Sequence, residues 1–358
     1  MKNQATNNIW LVSRGFDSCV FLIPIALALL VTPIGFWYYP AQIPLWAFIF
    51  VIITFDVAHV WATAYRVYLD KDEFQRRFWF YFLPLPAFFF LALGLCCYDM
   101  TLYWTLLAYT AIFHFIKQPY GFVAIYKQKL HERCKLDYYL DKWAVWCAGL
   151  GPVILWHGSP QRVFDWFNAG ESFLLKVPPS ILPYVTFFYG LTLVFYVGRQ
   201  LYLYKTTKFV NHGKNLVMMG TWLTWALGIA ISNPLVSAAY LNLFHGIPFF
   251  AVVWLYGTNK WTGENARKNT ILNFAFKQSN LFYFFLLVFI PSLLEEGLWD
   301  GFIWHTYLPP EFHFQMSSFF VAFWIALLSL PQIIHYWLDA FIWKFNGSNP
   351  DLKQHLGL

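Results

Sequence analysis

Long apolar runs, each near twenty residues and separated by short polar stretches, recur along the whole chain. A bilayer core is about 30 Å thick, so a crossing helix needs about 20 apolar residues. Backbone groups in lipid must bond within their own segment, which favours helices over open sheets. The pattern therefore predicts an all-α, polytopic transmembrane bundle of about ten spans. They are Cys19–Trp37, Leu45–Tyr68, Phe78–Tyr98, Leu102–Tyr126, Tyr138–Trp156, Ile181–Tyr204, Leu216–Ser232, Leu235–Tyr256, Leu281–Leu298 and Met316–Trp343. Trp and Tyr gather at the boundaries, as in interfacial belts. No Pro- or Ser-rich linker interrupts the series, so residues 1–358 read as one integral membrane domain. The first span lacks a small-residue cleavage signal and reads as a retained signal anchor.

Composition strengthens this picture. Hydrophobic residues make up 59% of the chain, aromatic residues 23% and charged residues only 12%. A soluble fold of this size has no interior large enough to hide that surface, so lipid must cover part of it. The cations set the orientation. Of 24 Lys and Arg, only Arg162 and Lys176 fall on one side of the expected map, leaving 22 on the other. Cytoplasmic loops carry the excess of Lys and Arg, so both termini are expected in the cytoplasm. The same rule accounts for the net charge of +6, and no nucleic-acid partner is implied. The five cysteines lie in or near spans without a CxxC pattern and read as packing residues.

Polar residues that persist inside the spans change the picture most. Asp56 and His59 lie in the second span, His114, Lys117 and Gln118 in the fourth, Asn242 and His245 in the eighth, and Gln332, His335 and Asp339 in the tenth. An ionisable group in hydrocarbon is costly unless paired, bonded or wetted, so it marks a candidate functional site. These four spans run in the same direction. Each histidine is followed by a cytoplasmic marker 7 residues on for His59 (Arg66), 13 for His114 (Lys127), 12 for His245 (Gly257) and 9 for His335 (Lys344). At 1.5 Å per residue they share one slab about 10–20 Å above the cytoplasmic helix ends. They meet if the even-numbered helices surround a common centre.

Spacing within the spans supports a site. Asp56 and His59 are i,i+3, and His335 and Asp339 are i,i+4, so each pair shares a helix face. Carboxylate and imidazole on facing helices are the ligands of carboxylate-bridged di-iron bundles. The expected metal ligands are His59, His114, His245 and His335 with one or both of Asp56 and Asp339. Gln118, Gln332 and Asn242 are expected to orient the ligand imidazoles. Asp56, Asp339 and Lys117 are the candidate acid, base or relay groups. Imidazole with carboxylate and no thiolate suits iron, zinc or manganese. A plainer reading is that each His is a hydrogen-bond partner between helices, and that the carboxylates pair with Arg66, Lys117 or Lys344. Glu295, Glu296, Asp300, His305 and His313 read as a separate, water-exposed patch at an outer span end.

No HExxH, GxSxG or P-loop is present, and the HxxxH and HxxHH boxes of membrane desaturases are missing. One His on each of several aromatic-rich helices resembles the Brp/Blh family, the bacterial membrane carotene dioxygenases. His-Phe-Ile-Lys-Gln at 114–118 is similar to that family's His-Phe-Gly box, although its adjacent His-His pairs are absent here. The resemblance implies a non-haem iron oxygenase in a bacterial inner membrane. Gln332–Lys344 is similar to a segment of other bacterial multipass proteins and implies no chemistry. Three functions stay open: a metal-dependent oxidoreductase acting on a lipophilic substrate, a proton- or ion-coupled transporter using Asp56, His59, Lys117 and Asp339, and a haem or quinone electron carrier with His axial ligands.

The cation sorting makes a topological prediction. Reporter fusions after Gln75, Lys129, Asn211 and Asn265 are expected on the cytoplasmic side, and fusions after Asp99, Gln161 and Glu311 on the other. The same side for Asn211 and Gln161 would make an intervening span wrong and weaken the common slab.

Overall fold

A computed structural model describes residues 9–38, 43–159, 175–231, 233–262 and 270–358. It is 82% helix, and no strand occurs among the described residues. Among the described residues ten long helical segments follow one another: α1 (Arg14–Tyr38), α2 (Leu45–Arg66), α3 (Phe78–Tyr98), α4 (Met100–Lys129), α5 (Lys135–His157), α6 (Leu182–Thr207), α7 (His212–Ala230), α8 (Pro234–Trp261), α9 (Leu281–Trp299) and α10 (Ser318–Ile342). Seven of these segments, all but α4, α5 and α7, are long and apolar enough to cross a membrane. α4 carries His114, Lys117 and Gln118 in its interior, α5 carries Asp141 and Lys142, and α7 carries His212 and Lys214 in its first turn, which lowers their mean hydropathy. Arg162 and the basic residues Arg267 and Lys268 lie outside the described residues.

Short polar residues punctuate the helices. A single residue, Asp99, separates α3 from α4, and its carboxylate accepts from the Leu102 N–H at 3.0 Å. Asn211 caps α7 at the Lys214 N–H, 3.1 Å, and Asn233 caps α8 at the Val236 N–H, 3.1 Å. Each cap satisfies one of the orphan donors at a helix N-terminus. Pro234, the first residue of α8, has no N–H to leave unpaired.

α8 is the axial element. In its most apolar stretch 78% of residues are buried within the protein, against 11% for α6, which presents Phe187, Phe188, Phe195 and Tyr202 outward. α8 packs against α1, α2, α4 and α7. α10 in turn packs against α2 and α4, so α2, α8, α4 and α10 close a ring. All five cysteines are free.

Paired charges gather at one end of this bundle. Asp141 of α5 accepts from Lys127 of α4 and, at 3.3 Å, from Lys214 of α7. Asp70 accepts from Lys260 of α8, and Asp137 accepts from Arg199 of α6 at 2.7 Å. Glu73, between α2 and α3, holds the densest group. It accepts from Arg76 at 2.5 Å, from Arg77 and from the Tyr81 hydroxyl, and faces Arg66 at 3.9 Å. Arg66 is thus drawn to Glu73 and over the Tyr256 ring, 4.5 Å from its centre, and not to Asp56.

Burial alone would raise the Glu73 pKa, but the Tyr81 hydroxyl, Arg66, Arg76 and Arg77 outweigh it and hold it down at about 2, below the usual 4.5. A depressed folded-state pKa stabilises the fold above the unfolded value and loses that contribution as pH falls towards the folded value. Thermal midpoints in detergent are therefore expected to hold above about pH 4.5 and to fall between 4.5 and about 2. Glu73→Gln should flatten this acid limb and destabilise the protein by about 3 kcal/mol at neutral pH, because a buried Arg66 loses its counter-charge.

Candidate metal centre

The ring of α2, α8, α4 and α10 brings His59, His245, His114 and His335 together. All four are buried, and one ring nitrogen from each lies within 4.8 Å of the others. His59 Nε2 and His245 Nε2 are 3.1 Å apart, as are His114 Nε2 and His335 Nε2. Two nitrogens bound to one ion at about 2.0–2.1 Å stand about 3.0–3.4 Å from each other. These two pairs already have that spacing, so this group could hold a metal ion.

Backbone geometry presents the His59 nitrogen. The ten residues Phe48–Val57 of α2 form a π-helical run, which returns to α-helix at Ala58. Such runs are rare and concentrate at functional sites. At its end the Phe55 carbonyl accepts from His59 Nδ1 at 3.1 Å. A carbonyl only accepts, so Nδ1 carries the hydrogen, and the neutral ring turns a bare Nε2 lone pair inward. His335 is held in the same sense, with its Nδ1 2.6 Å from the Thr63 hydroxyl. A ligand imidazole fixed through its second nitrogen is the usual arrangement around a metal.

Aromatic rings hold the other two imidazoles. Phe115 stacks on His245 with centroids 3.9 Å apart and planes at 4°, and Tyr336 stacks on His114 at 4.5 Å. Phe249 stands edge-on to His59 and His335, at 5.5 and 5.4 Å. Gly246, next to His245, is where α8 meets α2 most closely. A Cβ built there would lie 2.0 Å from the Phe55 carbonyl oxygen, the same atom that orients His59. Glycine at this position lets the two backbones approach until their histidines meet.

The two carboxylates occupy different places. Asp339 Oδ2 stands 3.7 Å from His335 Nε2 and 4.0 Å from His114 Nε2, on the inner side of both rings. Its other oxygen accepts from the Trp343 indole at 3.1 Å. Asp56 lies behind His59, 3.9 Å from Nδ1, and so faces the nitrogen that points away from the centre. Neither carboxylate pairs with Arg66, Lys117 or Lys344 among the described residues.

The three amides do not orient the imidazoles. Gln332 donates to the Tyr336 hydroxyl at 2.6 Å, one step removed from His114. Both amide atoms of Gln118 are buried without a partner. Asn242 is buried on α8 and has no hydrogen bond to any of the four imidazoles among the described residues. The Phe55 carbonyl and Thr63 do that work instead. Thr63 is i,i+4 from His59 on the same face of α2, a spacing that could have singled it out.

The acidic patch near the end of α9 also differs from its expected water-exposed setting. Glu295 is buried and accepts from the indole of Trp61, two residues beyond His59, at 2.6 Å. Asp300 is buried too and accepts from the backbone N–H groups of Thr306, Tyr307 and Leu308, closing the loop that follows. His305 and His313 stack on each other at 4.6 Å, outside the four-histidine group.

His114, Asp339, Tyr336 and Phe249 line a cavity of about 790 Å³ between α3, α4, α8 and α10. The four-histidine group therefore borders this cavity on its α4–α10 side, through His114.

Gly246→Ala is expected to push α8 off α2, separate His245 from His59 and lower the thermal midpoint more than the about 1–3 kcal/mol of ordinary overpacking. Gly297→Ala, where nothing lies within 4 Å, is the control and should leave the midpoint unchanged or raised. Equal behaviour of the two variants would count against the close approach. No protein-family model, characterised protein or solved structure matches this chain, so its function is read from the residues of the site alone.

Proposed function

We propose that the protein is an integral membrane metalloenzyme of ten spans with both termini in the cytoplasm, a non-haem iron oxygenase or related oxidoreductase acting on a lipophilic substrate. The observation that carries this reading is the double role of His114. It is one of four converging imidazoles and also part of the wall of a large apolar cavity. A purely structural metal site has no need of such an opening, whereas a catalytic one keeps a side free for substrate.

The donor set supports the choice of metal class. Four imidazoles beside one carboxylate, with no thiol in the group, suit iron, and zinc or manganese could take the same donors. The likeness to the Brp/Blh layout points the same way. A haem fits less well. Two axial nitrogens on one haem iron stand on opposite faces of the macrocycle, while the closest nitrogens here are neighbours at 3.1 Å.

When bound, the metal would supply Lewis-acid or redox chemistry at the cavity wall. The chain does the rest. The Phe55 carbonyl and Thr63 hold two imidazoles in register, and Phe115 and Tyr336 keep the rings of His245 and His114 from turning. Asp339, at 3.7 Å from His335 Nε2 and in the cavity wall, is placed to take or return a proton at the substrate. The apolar walls exclude water from that exchange.

The transporter reading draws on one observation, the polar line from Asp56 through His59 and His335 to Asp339. The two readings separate on metal content. Wild type purified in detergent is expected to carry stoichiometric metal without a Soret band. His59→Ala and His335→Ala should insert normally, since removing a polar group makes a span more apolar, yet lose the metal. If the histidines were only hydrogen-bond partners, each loss would amount to about 0.6 kcal/mol with metal content unchanged. Metal-free wild type together with silent His→Ala variants would replace the enzyme by the transporter.

A further inference from the structure

Two ammonium groups stand in the wall of the cavity beside the metal centre. Lys117 follows His114 by three residues on α4, and Lys344 follows the end of α10. Both line the cavity together with Gln118. Lys117 is half-buried and lies 5.7 Å from the centre of the Phe113 ring, and Lys344 lies 4.8 Å from the centre of Phe341. Neither has an ion-pair partner among the described residues, in contrast to Lys127, Lys214 and Lys260, each of which meets a carboxylate. Asp339, the carboxylate of the same wall, is engaged by Trp343.

The remainder of the wall is apolar and extends well away from these groups. It includes Leu91 and Leu95 of α3 and Tyr103, Leu106 and Leu107 of α4. From Tyr103 to Lys117 is fourteen residues along α4, a length of about 21 Å. Leu91, Leu106 and Phe113 are exposed as well as lining, so the cavity opens through an apolar part of the surface. A volume of about 790 Å³ lies in the upper part of the about 300–1,000 Å³ range of small-molecule sites.

We propose that the cavity binds a single-chain amphiphile with an anionic head, a long-chain carboxylate in the first instance, whose head is held by Lys117 and Lys344 while its chain lies along α4. The proposal rests on the enzyme reading for its consequence and names that enzyme's substrate class. Two ammonium groups without carboxylate partners recognise an acidic head, and an apolar corridor open to the bilayer admits its tail laterally. Lys117 stands only about 4.5 Å along α4 from His114, so the chain atoms nearest the metal centre are those close to the head. The chemistry is then directed to the head end of the chain and not to its far tip.

The test is equilibrium binding without turnover. Radiolabelled oleate is bound to detergent-purified full-length protein and displaced by unlabelled oleate, methyl oleate, oleylamine or dodecyl phosphate. Oleate is expected to displace the label at least tenfold better than methyl oleate or oleylamine. Lys117→Gln and Lys344→Gln should each weaken oleate about tenfold while leaving displacement by methyl oleate unchanged. Lys344 is exposed, so its variant tests the head contact without disturbing the core. Dodecyl phosphate stronger than oleate would move the head from carboxylate to phosphate monoester and overturn the carboxylate assignment. Equal displacement by acid and ester, or unchanged binding in both lysine variants, would overturn the proposal as a whole. Wild type that holds metal but does not discriminate these heads sinks only the ligand class. Metal-free protein that still prefers oleate sinks only the enzyme reading.

Discussion

The contact between Gly246 of α8 and the Phe55 carbonyl of α2 is the constraint on which the centre depends. It admits no side-chain atom, since a Cβ would fall 2.0 Å from that oxygen. The same oxygen receives the His59 Nδ1 hydrogen, so one atom sets both the distance between two helices and the direction of a ligand. The π-helical run that ends at Val57 delivers the carbonyl to this place. With α2 and α8 locked, α4 and α10 complete the ring and bring the second pair of histidines against the first.

Electrostatics divides the molecule into two regimes. At one end of the bundle, charges are numerous and paired: Glu73 with three arginines, Asp141 with two lysines, Asp70 with Lys260. Removing one partner there leaves a buried charge, so these groups hold helix ends together and penalise other arrangements. In the middle the four imidazoles meet with no ammonium or guanidinium paired to them among the described residues, and the Asp339 carboxyl stands 3.7 Å from His335 Nε2. Neutral lone pairs crowded at 3.1 Å are poorly satisfied by one another, because at most one hydrogen can lie between two of them. A cation at the common point relieves all four together.

The centre and the cavity share His114 and Asp339, and this sharing gives the arrangement its functional sense. Metal-binding groups sealed on every side would stabilise helix packing and nothing more. Here one side of the ring faces an apolar space fitted with Lys117 and Lys344. Polar groups at a few points of a mainly apolar wall fix a ligand's orientation, while the apolar surface provides most of the affinity.

Helical class and the candidate histidines were legible in the sequence, because ionisable residues stand out against apolar runs whatever the final packing. Their common depth followed from counting residues to the basic helix ends, since the rise per residue of a helix is constant. What lay beyond the sequence was set by contacts between segments far apart in it. That Asp339 turns inward and Asp56 backs onto His59 depends on the rotation of each helix, which spacing along one helix cannot supply. The amides of Gln118, Gln332 and Asn242 had the right chemistry for orienting imidazoles. A backbone carbonyl and Thr63 took that role because a π-helical run and its close approach to α8 put them within reach. Glu295 stands among charges that read as an outer patch, yet the packing of α9 against α2 carries it to Trp61. Composition and periodicity act along the chain and so decided its class and its reactive residues, whereas helix rotation, tilt and separation act between segments and were decided by packing alone.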